Sequence, residues 1–322
     1  MNFRKTLTAS VVFAGTLAAG AAFAEEKLVV AIYKSGTQQY FIDQANGFTK
    51  AAEELGYKAQ IINVEMDANL AISAVSDAIA AGAKAIAITA PDQAIGAAVA
   101  KAAADAGIPL IATDDPLKDA TGKDIPFAGF DGVAMGTKVG DKAGELLVAS
   151  GWLSNPNLGI MLVTVPTLSV CNDRTTAEKA QMMAAGAKEE NFIEVNYDGT
   201  TDASLTASGP VITAHPAVDK WVVVSCNDEG VLGATNSLKN AGFLPADVIA
   251  VGLGAYEACR PWKEAIDTGF KAALYISGVD VGDAAARALI NAVEKGEPLP
   301  EKTVANTTIV DPTTYKDIMP CP

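Results

Sequence analysis

Histidine and basic residues are scarce in this chain, and each shortage disfavours a class of function. The one histidine among 322 residues, His215, directly precedes Pro216 and has no ligand-type neighbours. Metal binding and a Ser-His-Asp triad are therefore not expected. Lys and Arg number 24 against 38 Asp and Glu, which gives a formal net charge of −14. Such an acidic chain is a poor partner for nucleic acid.

Long apolar runs are missing except at the N-terminus. No stretch after residue 24 approaches the ~18 apolar residues of a membrane span. The first 24 residues carry Arg4 and Lys5, then an apolar segment, then Ala22-Phe23-Ala24. This order is typical of a secretory signal peptide cleaved before Glu25, and no cysteine follows the cleavage site to receive a lipid. The sequence thus predicts an exported protein with no direct membrane anchor.

Cysteine is limited to four residues in the second half of the chain: Cys171, Cys226, Cys259 and Cys321. Their spacing matches no zinc-binding pattern. An oxidising compartment permits disulfides, and four cysteines allow three pairings, among which the sequence does not decide. Buried free thiols are the alternative.

Glycine-rich signatures of nucleotide-binding enzymes are absent. The first predicted strand leads into Lys34-Ser35-Gly36-Thr37 rather than into a dinucleotide fingerprint or a P-loop. Gly252-Leu253-Gly254 begins like a fingerprint but has no third glycine, and no G-x-S-x-G elbow occurs. The sequence predicts neither a cofactor nor an enzymatic activity.

Apolar strands alternate with Ala-rich amphipathic helices from residue 27 onwards, and the pattern restarts at residue 159. This alternation predicts an α/β protein with two doubly wound Rossmann-like units. Strands are predicted at 28–33, 59–64, 85–89, 108–113, 127–130, 159–163, 192–197, 221–226, 248–253, 270–275 and 302–309. Helices are predicted at 40–56, 69–81, 95–106, 133–150, 175–189, 203–214, 229–241, 262–267 and 281–294.

Polar and aromatic residues follow the ends of the predicted strands, where ligands bind in open α/β sheets. Lysine, arginine and asparagine donate to hydroxyl oxygens, aspartates accept from hydroxyl groups, and aromatic rings pack against the C–H face of a sugar. The set therefore fits a neutral polyol in a crevice between the two sheets. Its members are Lys34, Gln38, Tyr40, Asp114, Asp115, Phe130, Arg174, Asn227, Gly254 and Tyr256.

Individual members of this set also have structural explanations. Lys34 could be a solvated loop residue, and Arg174 could pair with Asp173 or Glu178 on its own helix. The neighbouring pair Asp228-Glu229 would cap and charge the start of a helix. The convergence of the whole set on one crevice favours a binding site.

Short motifs spread over the chain after residue 24 point to a known family. They are Lys34 with Tyr40-Phe41, Ile111-Ala112-Thr113-Asp114-Asp115, Asp173-Arg174-Thr175-Thr176, Asn227-Asp228 before Val231-Leu232-Gly233, His215-Pro216 and Thr268-Gly269-Phe270. Together they resemble the periplasmic sugar-binding proteins of the type I fold, which serve ABC importers, and most closely the arabinose-binding members. The resemblance implies two Rossmann-like lobes joined by a three-strand hinge, with a sugar closed between them.

The resemblance also implies roles for single residues. It assigns sugar hydrogen bonds to Lys34, Asp114, Asp115, Arg174 and Asn227, a stacking position to Tyr40, and apolar pocket positions to Phe130, Leu168 and Cys226. Three positions depart from the family pattern: Gln38 replaces a glutamate, Val170 a threonine and Gly254 an asparagine. An unmatched polar group in a buried site costs ~1–3 kcal/mol, so a pentose, a hexose, a furanose or a derivative remains open as the ligand. Tyr256 or a larger ligand could fill the space that Gly254 leaves.

The implied lobes are residues 25–129 plus 278–305 and residues 130–277 plus 306–322, with a hinge near Phe130, Ser277 and Asn306. All four cysteines fall in the second lobe, so any disulfide is expected to leave the hinge free. Ligand binding would shift an open–closed equilibrium, and the closed monomer would then present both lobes to a membrane permease.

Other functions remain as alternatives. An exported receptor for a chemotaxis or sensor-kinase partner would have the same sequence features, and the ligand could be a non-sugar polar solute. A sugar-responsive repressor would need a DNA-binding head where this chain has its predicted signal peptide. A glycosidase is disfavoured because the adjacent Asp114 and Asp115 cannot flank a bond from two sides.

Overall fold

The computed structural model describes residues 27–321; the predicted signal peptide lies outside the described residues. The strands are β1 (Leu28–Tyr33), β2 (Lys58–Asn63), β3 (Ala85–Ile88), β4 (Leu110–Thr113), β5 (Phe127–Gly129), β6 (Leu158–Thr164), β7 (Phe192–Asn196), β8 (Lys220–Ser225), β9 (Val248–Gly254), β10 (Phe270–Ile276), β11 (Lys302–Val304) and β12 (Thr307–Val310). The helices are α1 (Gln39–Glu54), α2 (Ala68–Ala80), α3 (Gly96–Ala106), α4 (Gly132–Ser150), α5 (Ser169–Ala184), α6 (Thr201–Ala214), α7 (Asp228–Asn240), α8 (Tyr256–Lys263) and α9 (Gly278–Lys295).

The strands form two six-stranded sheets, ordered β11-β5-β4-β3-β1-β2 and β12-β10-β9-β8-β6-β7. All pairings are parallel except that of β12 with β10. Central strands such as β1 and β6 are buried along their whole length, as helix-covered parallel strands are. The strand order reverses between β1 and β3 and again between β6 and β8, which are the two topological switch points where ligands bind in such sheets. The predicted fold class is confirmed.

The chain passes between the sheets three times: from β5 to α4, from β10 to α9, and from β11 to β12. After the first passage α4 packs against α5 and the second sheet, and after the second passage α9 packs against α1 and the first sheet. Among residues 27–321, no helix is long and apolar enough to cross a membrane.

Three elements differ from the sequence prediction. The helix predicted at 175–189 begins six residues earlier, as α5 at Ser169, and ends at Ala184. The helix predicted at 262–267 is α8, Tyr256–Lys263. The single strand predicted at 302–309 is two strands, β11 and β12, which belong to different sheets. The first two differences place the predicted site residues Arg174 and Tyr256 in helices. The third places the predicted hinge residue Asn306 between two strands.

Candidate functional site

A small cavity of about 60 Å³, the inner cavity, lies between the carboxyl ends of the two sheets. Nine of the twelve predicted binding residues line it: Lys34, Gln38, Tyr40, Asp114, Arg174, Cys226, Asn227, Gly254 and Tyr256. Seven further residues complete its wall: Phe41, Val170, Cys171, Asp228, Glu229, Leu253 and Ile276. Asp228 and Glu229 follow β8, and Leu253 and Ile276 lie at the ends of β9 and β10, so position at a strand end is the signal that could have found these four.

Three predicted residues do not line the inner cavity. Asp115 is fully buried and pairs with Lys34. Phe130 is buried with its ring 6.2 Å from that of Tyr40. Leu168 is part of the apolar core of the second half of the molecule. Here and below, the first half is built around the sheet that contains β1, and the second half around the sheet that contains β6. Asp115 and Phe130 therefore support cavity residues, whereas Leu168 is a packing residue just before α5.

A buried ionic cluster joins the two halves at this cavity. The Lys34 ammonium lies 2.5 Å from Asp115 Oδ2 and 3.5 Å from Asp114 Oδ2. From the other half, Arg174 Nη2 lies 3.6 Å from Asp114 Oδ1. Lys34 is thus a buried ion-pair partner rather than a solvated loop residue. Burial lowers the pKa of Lys34, but the two aspartates outweigh that effect and raise it overall.

The backbone at Asp114 directs the two adjacent carboxylates to different places. Asp114 has φ 58°, in the left-handed region that aspartate tolerates better than most residues. The Asp115 amide donates to Thr113 O at 2.6 Å across this tight turn. As a result Asp114 lines the cavity while Asp115 is buried beneath Lys34. Burial raises the pKa of the Asp115 carboxyl, and the ammonium of Lys34 opposes that rise.

The early start of α5 places Arg174 in the second turn of a helix. At Gly136 of α4 an added Cβ would lie 2.1 Å from Arg174 O, so a glycine is what lets the two helices approach here. Arg174 Nη1 donates to Cys226 O at 2.9 Å, while Nε and Nη2 are buried without a hydrogen-bond partner. The ion-pair partner of Arg174 is Asp114, in contrast to the alternative of a pair within its own helix. The guanidinium therefore has two donor atoms available at the cavity.

Asn227 acts as the N-cap of α7 while it lines the cavity. Its side-chain oxygen accepts from Gly230 N at 2.9 Å and from the Tyr197 hydroxyl, and Nδ2 donates to Gly199 O at 3.0 Å. Gln38 from the other half also donates to Gly199 O, at 3.3 Å. Both amides therefore have protein partners in this arrangement.

The two acidic residues after Asn227, Asp228 and Glu229, both line the inner cavity. The carboxylate of Asp228 accepts from Glu257 N at 3.0 Å, so it caps α8 instead of its own helix. Burial raises the pKa of Asp228 to about 7, although backbone hydrogen bonds oppose the change. Burial likewise raises the pKa of Glu229 to about 8. Both acidic residues lie in the first turn of α7 as predicted, but the capping role belongs to Asn227, and the raised pKa values reduce their charge near neutral pH.

Tyr40 and Tyr256 form an aromatic contact from opposite halves, with ring centroids 6.2 Å apart in an edge-on arrangement. The Tyr256 hydroxyl donates to Ile276 O at 3.1 Å and accepts from Gly278 N at 3.2 Å. These hydrogen bonds tie Tyr256 to the second passage of the chain between the sheets. The Tyr40 hydroxyl is buried without a hydrogen-bond partner.

The backbone conformation at Gly254 favours glycine. Its φ is +133°, which side-chain-bearing residues rarely adopt, and an added Cβ would lie 3.5 Å from the Asp228 carboxyl carbon. Glycine here gives the turn into α8 at no steric cost.

A larger opening of about 490 Å³, the outer cleft, shares Lys34, Gln38, Asn227 and Glu229 with the inner cavity. Its remaining lining residues are Ser35, Thr37, Glu65, Met66, Asp198, Gly199, Thr200, Thr201, Asp202 and Glu257. The outer cleft thus holds five acidic side chains and one lysine, of which Glu229 is largely protonated near neutral pH.

Two disulfides join Cys171 to Cys226 and Cys259 to Cys321. The first lies at the inner cavity, and the second joins α8 to the C-terminal segment. Both lie within the second half, which confirms the expectation that a disulfide would not bridge the halves. Within residues 27–321, no group of three or more His, Cys, Asp or Glu side chains is placed to hold a metal ion.

Residues 28–298 match the family described as "Periplasmic binding protein domain". The chain belongs to this family. It is 30% identical over 293 residues to the ABC transporter L-arabinose-binding periplasmic protein of Azospirillum brasilense, covering 88% of this chain and 86% of the relative. It is 27% identical to the L-arabinose-binding periplasmic protein of Escherichia coli, covering 92% and 91% of the two chains.

Solved structures show the same fold. A solute-binding protein of an ABC transporter from Agrobacterium vitis, bound with α-D-tagatopyranose, superposes with a TM-score of 0.76 at 20% identity, covering 91% of this chain and 97% of the other. One from Actinobacillus succinogenes with bound D-allose gives a TM-score of 0.74 at 20% identity, covering 91% and 100%. The sequence-based assignment to the type I periplasmic binding proteins is confirmed.

Proposed function

We propose that this chain is a periplasmic solute-binding protein that captures a monosaccharide between two lobes and delivers it to an ABC permease. The ionic cluster at the inner cavity carries this proposal. Asp114 contributes acceptor oxygens from one half, and Arg174 contributes two donor nitrogens that make no hydrogen bond, Nε and Nη2, from the other. Placed donors and acceptors from both sides are what a neutral, multiply hydroxylated ligand requires. The L-arabinose-binding relatives support a sugar as that ligand.

The three passages of the chain between the sheets support a division into two lobes. One lobe comprises residues 25–129 and 278–305, and the other comprises residues 130–277 and 306–322. The passages near Phe130, Ser277 and Asn306 form the hinge. Because these segments are short and extended, rotation about them moves each lobe as a rigid body.

Ligand entry requires the lobes to part. The inner cavity, at about 60 Å³, is smaller than the ~300–1,000 Å³ of ligand pockets. Arg174 contacts Asp114 directly across the cavity, and outside the cavity Ser169 N donates to Gln93 Oε1 of the other lobe at 2.8 Å. A bound sugar takes over the donors and acceptors of Arg174 and Asp114, and the closed arrangement then depends on the ligand.

Export, oligomeric state and partners complete the proposal. The periplasmic relatives and the N-terminal sequence support cleavage after Ala24 and action in the periplasm as a monomer. The protein binds its ligand without catalysis, and the closed form docks on the permease. A chemotaxis or sensor partner would recognise the same closed form, and growth on the ligand after deletion of the permease distinguishes transport from signalling alone.

A thermal-shift screen of the mature protein, refolded to remove bound ligand, tests this function. The panel holds L-arabinose, D-ribose, D-allose, D-tagatose, D-fucose and myo-inositol, with amino acids as controls. A ligand at ~100 times its dissociation constant adds about 2.7 kcal/mol of stability. We expect one neutral sugar to raise the Tm of the wild type and of Arg260→Lys, whose side chain is 85% exposed, and to raise that of Arg174→Lys by a smaller amount at the same sugar concentration. Shifts with amino acids alone would contradict the proposal.

The acidic outer cleft favours a second candidate ligand class, a cationic polar solute. Its lining contains five acidic side chains and a single lysine, and four acidic residues remain without the largely protonated Glu229. Adding D-glucosamine and spermidine to the same panel tests this alternative. A larger shift with D-glucosamine than with any neutral sugar would assign an amino sugar as the ligand.

A further inference from the structure

The Cys171–Cys226 disulfide forms part of the wall of the inner cavity. Cys171 lies in the first turn of α5, and Cys226 directly follows β8. Both residues line the cavity, and they are 4% and 0% exposed. The disulfide therefore fastens the start of one helix to the end of a neighbouring strand at the ligand-facing edge of the sheet.

Arg174 is connected to both ends of this cross-link. It lies three residues after Cys171, on the same face of α5. Its Nη1 donates to the main-chain oxygen of Cys226 at 2.9 Å. The disulfide, the hydrogen bond and one turn of helix thus close a ring that contains the Arg174 side chain. The separation between α5 and the end of β8 determines whether this hydrogen bond forms, and the disulfide limits that separation.

An opposing force acts on the same side chain. Arg174 Nη2 lies 3.6 Å from Asp114 Oδ1 across the cavity, so the guanidinium is attracted to the first half as well. Arginine has a long side chain with much rotamer freedom. Its hydrogen bond to Cys226 O is what keeps Nε and Nη2 directed to the cavity from the second half.

We propose that the Cys171–Cys226 disulfide is a positioning element for ligand binding, which holds the Arg174 guanidinium in the orientation that receives the sugar. This inference rests on the proposed function. The second disulfide is a natural control because Cys259 and Cys321 line neither the inner cavity nor the outer cleft.

Calorimetric titration tests this role with L-arabinose and with every panel sugar that raises the Tm of the wild type. We expect Cys171→Ser/Cys226→Ser to raise the Kd about ten-fold, and Cys259→Ser/Cys321→Ser to leave the Kd unchanged while lowering Tm. In an Arg174→Met background, loss of the first disulfide should change the Kd by less than about two-fold, because the group it positions is gone. A structural role alone would give the same change in both backgrounds.

Reduction gives a second measurement if Cys171→Ser/Cys226→Ser does not fold. In Cys259→Ser/Cys321→Ser protein, dithiothreitol reduces the remaining disulfide to two thiols, and circular dichroism reports whether the fold persists. Weaker sugar binding by folded, reduced protein supports the proposal. An unchanged Kd after either treatment overturns it and leaves the proposed function intact. Failure of the wild type to bind any sugar overturns both.

Discussion

Substitutions in the buried ion pair of Lys34 and Asp115 can distinguish an effect on stability from an effect on sugar binding. Their side chains are 11% and 0% exposed, and Asp115 Oδ1 has no hydrogen-bond partner. In Lys34→Met, Asp115 loses the cation with which it pairs and stays fully buried, either as an unpaired charge or as a protonated acid. Breaking one partner of a buried pair costs about 3–5 kcal/mol. We therefore expect the free energy of unfolding, measured by urea titration, to fall by that amount.

The double variant Lys34→Met/Asp115→Leu provides the decisive comparison. Replacing a whole buried pair with apolar side chains is often neutral, so its stability should return to about that of the wild type. Sugar binding should be lost in both variants. Lys101→Met, whose 72% exposed side chain pairs with Asp105, is the surface control and should cost less than about 0.5 kcal/mol. A Lys34→Met protein as stable as the wild type, or a double variant that binds sugar normally, would refute this reasoning.

Three further predictions concern pH, backbone strain and closure. Folding raises the pKa of Asp228 from 3.8 to about 7. Between these pH values the folded state retains a proton that the unfolded chain releases, so the free energy of unfolding falls as pH rises from about 4 to about 7. Asp228→Asn should therefore be more stable than the wild type at pH 8, by at most about 4 kcal/mol, and should converge with it near pH 4; a pH-independent difference in urea titrations contradicts this. Gly254→Asn, at φ +133°, should lose roughly 1–3 kcal/mol of stability through backbone strain, and equal urea midpoints for variant and wild type would show that the turn is unstrained. Gln93 donates to Pro116 O in its own half and accepts from Ser169 N in the other half. Gln93→Ala should therefore raise the sugar Kd about five-fold, through faster sugar dissociation in stopped-flow measurements. An unchanged dissociation rate would remove this contact from the closure mechanism.

The strands and most helices could be predicted because their sequence signals lie within the elements themselves. Period-2 and buried apolar runs predict the strands, and α-helical spacing with glycines after the last turn predicts most helices. The start of α8 had no such signal because its cap is the Asp228 carboxylate, 29 residues earlier in the chain. Pro261 lies within α8, whereas a proline in sequence more often marks a helix start. Similarly, Leu168 at the N-cap of α5 makes no side-chain cap hydrogen bond.

The sequence predicted which residues gather at the site, but it did not predict the role that each of them has there. Position after a strand end, together with family resemblance, selected nine residues that do line the inner cavity. Neither source shows that Asn227 is occupied as a helix cap, or that the backbone at Asp114 turns one carboxylate to the cavity and buries the other. These outcomes depend on tertiary contacts, such as those of Gly199 with Gln38 and Asn227. The disulfide pairing was open for the same reason.

In the proposed function, a neutral monosaccharide binds between the two sheets at the ionic cluster. A crystal structure of the mature protein with the sugar that gives the largest thermal shift tests it most directly. We expect sugar density at the inner cavity, with hydroxyl groups within hydrogen-bond distance of Lys34, Asp114 and Arg174. Sugar bound elsewhere, or at this site without contact to Arg174 and Asp114, would contradict it.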